Sequence, residues 1–411
     1  MKKKYLAFCI MDLKYLTQSI NGNKFMLEKI CESFDKLFII NTGNLRFFKK
    51  KNNTYNKKDF YINKKNSKFF IKNEKLKLPQ NIEFFNPQNF NEFKKFMKDK
   101  DIIAINSFGR TFNDLRIHFL FKYFNIKQIQ ISNTGNLQTQ ISPIIKTDLG
   151  AWYYKILHDL GHKVVVILSN LNLVPKNDIR FISNKKTFEV SKKNNLFKKL
   201  NLFYCKEHIL VNSISNDINV SARPLINETK IVLLDIMFHH EERLAMGSKP
   251  NKFLVKDFYT KINKLLNYVS KTYKKKVVIC IHPKDDLNKK KLIFKNYEVI
   301  KFATQKNISK AFIVFFFDTS AIIDAILLKK KIFVITSKAM DKNQIAQAND
   351  YHNIAGIPKL DLDSPNLLDK KIFLQKNYMK NYSNYIKNYL APDGKNLGYK
   401  KIIKTIKKRF F

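Results

Sequence analysis

Two stretches constrain this chain's fold more than any other. Val277-Val278-Ile279-Cys280-Ile281 runs without a polar residue into His282-Pro283, and Ala311 to Asp318 leads into Thr319-Ser320-Ala321-Ile322-Ile323-Asp324-Ala325. Short apolar runs bounded by polar turn residues are the pattern of strands buried on both faces, as in a parallel sheet covered by helices. Each run delivers a polar pair at its carboxyl end, where open α/β sheets receive ligands. The first pair is a histidine beside a rigidifying proline. The second opens a helix, whose free backbone N–H groups and dipole favour a phosphate. Together they point to a nucleotide-sugar site.

The rest of the chain repeats this alternation. Strand-length apolar runs at Tyr5 to Ile10, Lys36 to Ile40, Asp101 to Ile105 and Lys127 to Ile131 are interleaved with helix-like stretches, Phe25 to Phe34 and Asn113 to Phe124. That order predicts a parallel sheet with helices on its faces. Short strands are expected at Ile179 to Ser183 and His208 to Asn212. A second unit then starts at Lys230 to Asp235 and continues with a helix over Leu254 to Tyr273 and a strand at Lys331 to Ile335. A chain of 411 residues exceeds what one core organises, so two domains are expected, 1–224 and 225–388, followed by a basic helical tail over 389–411. The Lys- and Asn-rich stretch from Lys49 to Lys77 reads as an insertion or loop.

Three further segments carry alternatives. Asn-Thr-Gly-Asn-Leu occurs at Asn41 to Leu45 and again at Asn133 to Leu137. Each copy is either turn chemistry, since Asn and Gly tolerate positive φ, or part of a ligand rim; Gln138 adds a hydrogen-bonding group beside the second copy. Trp152, Tyr153 and Tyr154, with the later run Val164 to Leu168, form either a buried helix and strand or a membrane-interface segment. Charged residues break this region well short of the roughly 20 apolar residues of a membrane span. The tail helix, Tyr399 to Lys408, either packs across domains or docks on anionic lipid.

Composition sets limits on function. The 36 phenylalanines and 45% apolar content supply substantial cores and exclude wholesale disorder. The net charge of +44 comes nearly all from lysine, spread throughout the chain. It attracts nucleotide sugars and anionic membrane surfaces, while scarce arginine argues against a dedicated nucleic-acid face. Cys9, Cys31, Cys205 and Cys280 form no CxxC, which fits a reducing compartment. The run after Lys2-Lys3-Lys4 is too short for a signal peptide and reads as the first strand, so a cytoplasmic protein peripheral to the inner membrane is expected. His239-His240-Glu241-Glu242 lacks HExxH spacing and Asp285-Asp286 is no DxD, so neither a metal nor a cofactor beyond the donor substrate is expected.

The Ile281-His282-Pro283 and Asp318-Thr319-Ser320 motifs, with an acidic residue four positions after the serine, resemble the His-Pro and Ser motifs of bacterial GT-B glycosyltransferases. The resemblance is to those using CMP-activated acidic sugars, including bacterial sialyltransferases and Kdo transferases of capsular polysaccharide assembly. It covers the second half of the chain. It implies an α/β, GT-B-like fold of two Rossmann-like domains with parallel sheets facing a cleft. It also implies that His282 and Ser320 hold the donor phosphate and Asp324 the ribose, where the family more often carries Glu-Ala-Leu than Asp324-Ala325-Ile326. Pro283, Lys284, Asp318 and Thr319 complete the nucleotide set, with His282 and Ser320 expected at neighbouring strand ends. Inverting transfer needs a base, for which Asp12 is the first candidate and Asp114 the second; the alternative reading of each is an ordinary helix cap. Arg110, Asn133 and Gln138 are the acceptor-binding candidates. The expected function is transfer from a nucleotide-activated donor, CMP-sugar favoured, to a surface glycan or glycolipid. The alternatives are a polyol-phosphate transferase, a sugar-nucleotide epimerase, or a non-catalytic basic protein that binds nucleic acid or anionic lipid.

Overall fold

The structure is a computed structural model that describes residues 3–10, 25–45, 60–63, 68–71, 81–106, 114–132, 160–161, 163–192, 205–221, 228–236, 238, 251, 253–282, 285–301, 303–365, 368, 373 and 378–411. The chain divides into two compact units. The first comprises Met1–Asn133, Tyr154–Ile214 and Asp393–Phe411, and the described residues of the second lie within Ser215–Pro392.

The first unit is built on strands β1 (Lys3–Ile10), β2 (Leu37–Asn41), β5 (Ile82–Phe85), β6 (Lys100–Asn106), β7 (Lys127–Ser132), β8 (Asn177–Ile182) and β9 (Cys205–Leu210). They form one parallel sheet in the order β5-β2-β1-β6-β7-β8-β9. Alternation sends Ala7, Cys9, Phe38, Ile40, Ile102 and Ala104 to one face, against helices α1 (Phe90–Met97) and α2 (Leu115–Tyr123). Leu6, Phe8 and Ile10 are buried on the other. Within 49–77, β3 (Phe60–Asn63) and β4 (Lys68–Ile71) pair as an antiparallel hairpin where a loop or insertion is expected.

One expectation in this unit fails, and one expected turn forms by other means. Residues 163–170 form a helix, although Val164 to Leu168 reads as a strand. Val165 and Val166 are buried and Val164 and Ile167 exposed, a helical spacing that packs Val165 against Leu115 and Val174. Tertiary packing here outweighs the strand preference of β-branched residues. The turn at Asn41 to Leu45 uses no positive φ. Side chains close it instead: Gly43 N donates to Asn41 Oδ1 at 3.0 Å, and Asn44 Nδ2 donates to the Pro87 carbonyl at 3.2 Å.

The second sheet consists of β10 (Lys230–Leu234), β11 (Lys276–Cys280), β12 (Glu298–Ile300), β13 (Ala311–Phe316), β14 (Lys331–Thr336) and β15 (Lys359–Asp361). It is wholly parallel, in the order β12-β11-β10-β13-β14-β15. Numbered from its own first strand this is 3-2-1-4-5-6, the doubly wound dinucleotide-binding order, with its reversal between β10 and β13. Ile231, Leu233, Ile279, Phe315 and Phe333 face α3 (Val255–Tyr273), which contributes Phe258, Ile262, Leu265, Leu266 and Val269. Val232, Leu234, Val278, Phe316 and Val334 face the opposite core, which holds Ile322 and Ile326 of α5 (Ile322–Leu327). Helix α4 (Leu287–Ile293) lies between β11 and β12, and α6 (Lys342–Ala355) between β14 and β15.

Helix α7 (Gly398–Phe410) belongs to the first unit, where it buries Ile402, Ile403 and Ile406. Gly398 is required there, because a Cβ would lie 2.3 Å from the Asn212 carbonyl oxygen. The fully buried Asn212 also clamps the turn before this helix. Its Nδ2 donates to the Gly394 carbonyl at 2.8 Å and the Asn396 carbonyl at 2.5 Å, and its Oδ1 accepts from Asp393 N at 2.8 Å.

Candidate functional site

In a parallel sheet of this order, the strand ends on either side of the reversal open a crevice between the helices that leave in opposite directions. In the second unit those are the ends of β10 and β13. Strand β13 emerges as Phe317-Asp318-Thr319-Ser320, with Asp318 buried, Thr319 half-buried and Ser320 exposed. The Thr319 hydroxyl accepts from Ala321 N at 3.3 Å, a local turn that leaves its own proton to donate. Ala321 occupies the N-cap of α5 with no side-chain cap, so Ser320 is not the capping residue.

Asp324 lies one turn into α5 and accepts from Asn219 Nδ2 at 2.9 Å through Oδ1. Burial pushes its carboxyl up to about 6, partly offset by that hydrogen bond.

His282 follows β11 half-buried, and its carbonyl accepts from Asp285 N at 2.9 Å, which bends the chain toward α4. The expectation of neighbouring strand ends is corrected here. β10 runs between β11 and β13. With strands about 4.8 Å apart, His282 and Ser320 issue from positions about 10 Å apart along the same edge. The end of β10 occupies the interval.

That end holds a group the sequence reading missed. Asp235 follows β10, and its carboxylate meets Lys290 Nζ of α4 at 2.5 Å, with both side chains buried. The same ammonium lies 3.4 Å from Asp285, donates to the Ile236 carbonyl at 3.1 Å and donates to the Tyr259 oxygen at 2.6 Å. Burial alone would lower the Lys290 pKa; Asp235, Tyr259 and Asp285 outweigh it and hold the ammonium above its ordinary value. Lys290 thus ties the loop after β10 to the loop carrying His282. One signal was legible: Leu287, Lys290 and Phe294 share helical spacing, which puts this lysine on an apolar face.

The acidic pair after His282 is structural. Asp286 caps α4, accepting from Asn288 N at 2.9 Å and Lys289 N at 3.2 Å, and these bonds hold its carboxyl below the usual range. Asp114 sits fully buried at the N-cap position of α2 without a side-chain capping bond. Asp12, Arg110, Asn133, Gln138, Pro283 and Lys284 lie outside the described residues, as do Trp152 and the segment 239–242. No helix among the described residues is long and apolar enough to cross a membrane.

No protein-family model matches the chain, and no curated protein matches it by sequence. Solved structures do match in fold. A histidine-to-asparagine variant of the wall teichoic acid polymerase TagF aligns at TM-score 0.55 and 11% identity, over 99% of this chain and 88% of that one. The same polymerase variant soaked with CDPG gives 0.53 at 12% identity, over the same 99% and 88%. A candidate UDP-N-acetylglucosamine 2-epimerase from Listeria monocytogenes gives 0.50 at 11% identity, over 99% and 97%. At such identities the likeness concerns the fold, which is GT-B-like with two Rossmann-like parallel-sheet units.

Proposed function

We propose that this chain is a glycosyltransferase that takes a sugar from a nucleotide-activated donor and passes it to a surface glycan or glycolipid. The observation that carries this reading is the edge of the second sheet, where Thr319-Ser320 stands at the reversal of strand order and His282 one strand beyond β10. The interval of about 10 Å lets a nucleotide lie across the end of β10 with its phosphate toward one side. Ser320 and His282 donate to that phosphate, and a dianion beside His282 favours the protonated imidazole. Asp324 meets the ribose, with Oδ1 oriented by Asn219.

The motif resemblance favours a CMP-sugar of the capsular or sialyltransferase-like kind, with the enzyme acting at the membrane surface. Asp12 remains the first choice of base, since Asp114 is sealed from solvent. A second reading, transfer of a polyol phosphate or epimerisation of a nucleotide sugar, draws support from the likeness to TagF and to the epimerase.

Calorimetric titration of CMP, CDP, UDP and GDP into the parent protein, Ser320→Ala and His282→Ala tests the site. Hydrogen bonds to a charged phosphate are worth about 1.5–3 kcal/mol, so each substitution is expected to weaken the preferred nucleotide roughly ten-fold or more with melting unchanged. Unchanged affinity in both variants would remove the transferase reading and leave a basic binding protein. Preference for CDP or UDP over CMP would move the assignment to the second reading.

A further inference from the structure

The amino ends of the first sheet lie at the edge opposite its carboxyl ends, and there the unit holds a cavity of about 340 Å³. Lys3 and Lys4 of β1, Phe34 and Lys36 before β2, and Lys407 and Phe411 at the end of α7 line it. That volume suits a small ligand or a headgroup. Asp35 is the acidic side chain of the lining, against four lysines.

The partners of those lysines decide what the cavity accepts. Lys36 pairs with Glu83. Lys4 Nζ donates to the Phe410 carbonyl at 2.8 Å, Lys3 lies 5.8 Å from the centre of the Tyr5 ring, and Lys407 lies 5.3 Å from that of Phe34. A carbonyl and two ring faces orient these ammonium groups without cancelling their charge. Among the described residues no carboxylate side chain forms an ion pair with Lys3, Lys4 or Lys407. Helix α7 is anchored by Ile402, Ile403 and Ile406, so Lys407 lines the same cavity as Lys3 and Lys4, all three of them exposed. Gathered like charges repel, and a bound anion relieves that repulsion.

The aromatic rings narrow the class of anion. Ammonium groups already stand over Tyr5 and Phe34, and the Phe34 and Phe411 rings pack on each other at 5.1 Å. Phe411 is half-exposed and tilted 56° to Phe34, so the two rings form no parallel slot for a base. Arginine is absent from the lining, so planar bidentate recognition is absent as well. Lysine ammonium groups, compact point charges with three donors each, match a tetrahedral phosphate. We infer that this cavity binds the phosphate group of a phosphorylated ligand, either a soluble phosphate ester or the headgroup of an anionic phospholipid. The inference is independent of the transferase reading, because the site lies in the other unit.

Inorganic pyrophosphate is titrated into the full chain, in a His282→Ala/Ser320→Ala background that silences the second sheet's edge. Lys407→Glu is compared with Lys264→Glu, an exposed lysine of α3 whose reversal changes net charge equally. Lys407→Glu is expected to weaken pyrophosphate roughly ten-fold or more, Lys4→Gln by less, and Lys264→Glu not at all, with melting unchanged. The same proteins are sedimented with vesicles of phosphatidylglycerol and phosphatidylcholine in equal parts. Loss of both pyrophosphate and vesicle binding in Lys407→Glu identifies a lipid headgroup, and loss of pyrophosphate alone identifies a soluble ester. Equal weakening by Lys407→Glu and Lys264→Glu, or no pyrophosphate binding by the background protein, would overturn the inference and leave only the diffuse field of a +44 chain.

Discussion

The carboxyl edges of the two sheets are finished with different chemistry. Among the described residues the first carries neutral pairs: Asn106 Nδ2 donates to Gln128 Oε1 at 3.1 Å, Asn41 Nδ2 to Asn86 Oδ1 at 2.8 Å, and Thr42 Oγ1 to the Ile10 carbonyl at 2.8 Å. The second is closed by charge, with Asp235 and Lys290 paired out of solvent and Asp324 held by Asn219. Amides satisfy buried backbone and one another with little dependence on pH. A buried ion pair instead holds its geometry only while both partners are present.

The largest expected effect separates these two kinds of edge. Lys290→Met leaves Asp235 buried and unpaired, and denaturant unfolding should show a loss of about 3–5 kcal/mol. Asn106→Ala, at the neutral edge, should cost about 1 kcal/mol. The double variant Asp235→Leu/Lys290→Met should recover most of the loss, since it removes both charges. A Lys290→Met loss no larger than that of Asn106→Ala would erase the distinction.

Next in size, Gly398→Ala should destabilise by about 1–3 kcal/mol through overpacking against the Asn212 carbonyl at the first edge. Thermal melting would read this, and a neutral result would mean that α7 shifts at little cost.

Asp324→Asn should act in the opposite direction. With the folded pKa raised to about 6, the folded state binds more protons than the unfolded state between about 4 and 6, so stability falls as pH rises through that window. At pH 7 the amide removes a buried charge and should stabilise by about 2 kcal/mol, and it should flatten that slope.

The smallest effect carries the reverse sign on the first sheet. His208 of β9 is pushed down to about 4 by burial and then by Arg180, so its contribution is present above about 6.5 and is lost as pH falls toward 4. Discounted for its partial exposure, His208→Gln should remove about 1 kcal/mol of acid sensitivity. A urea series between pH 4 and 7 on both variants would show whether the two slopes oppose each other.

How much of this was legible in the sequence depended on burial. The runs that became β10, β11 and β13 were plain because both faces of each strand are covered and nearly every residue is apolar. The edge strands β5, β12 and β15 were missed, being three or four residues long and half-exposed. His282 and Thr319-Ser320 do follow strands as expected, but the strand lying between them was not foreseen, because strand order is set by crossovers that no local pattern encodes. Lys290 was hidden for a further reason. It stands among Lys289 and Lys291 in a chain with 77 basic residues, and its partners are distant in sequence.

The clamp of Asn212 on residues 393–396 bears on the order in which the chain is made. The first unit breaks off at Ile214 and is resumed at Asp393, so a ribosome must deliver all of Ser215–Pro392 before α7 exists. Until then the surface that receives Ile402, Ile403 and Ile406 is uncovered, while the second unit is already complete enough to collapse. The domain begun first is therefore the one finished last, and chains arrested shortly before residue 393 should hold a folded second unit beside a protease-sensitive first one.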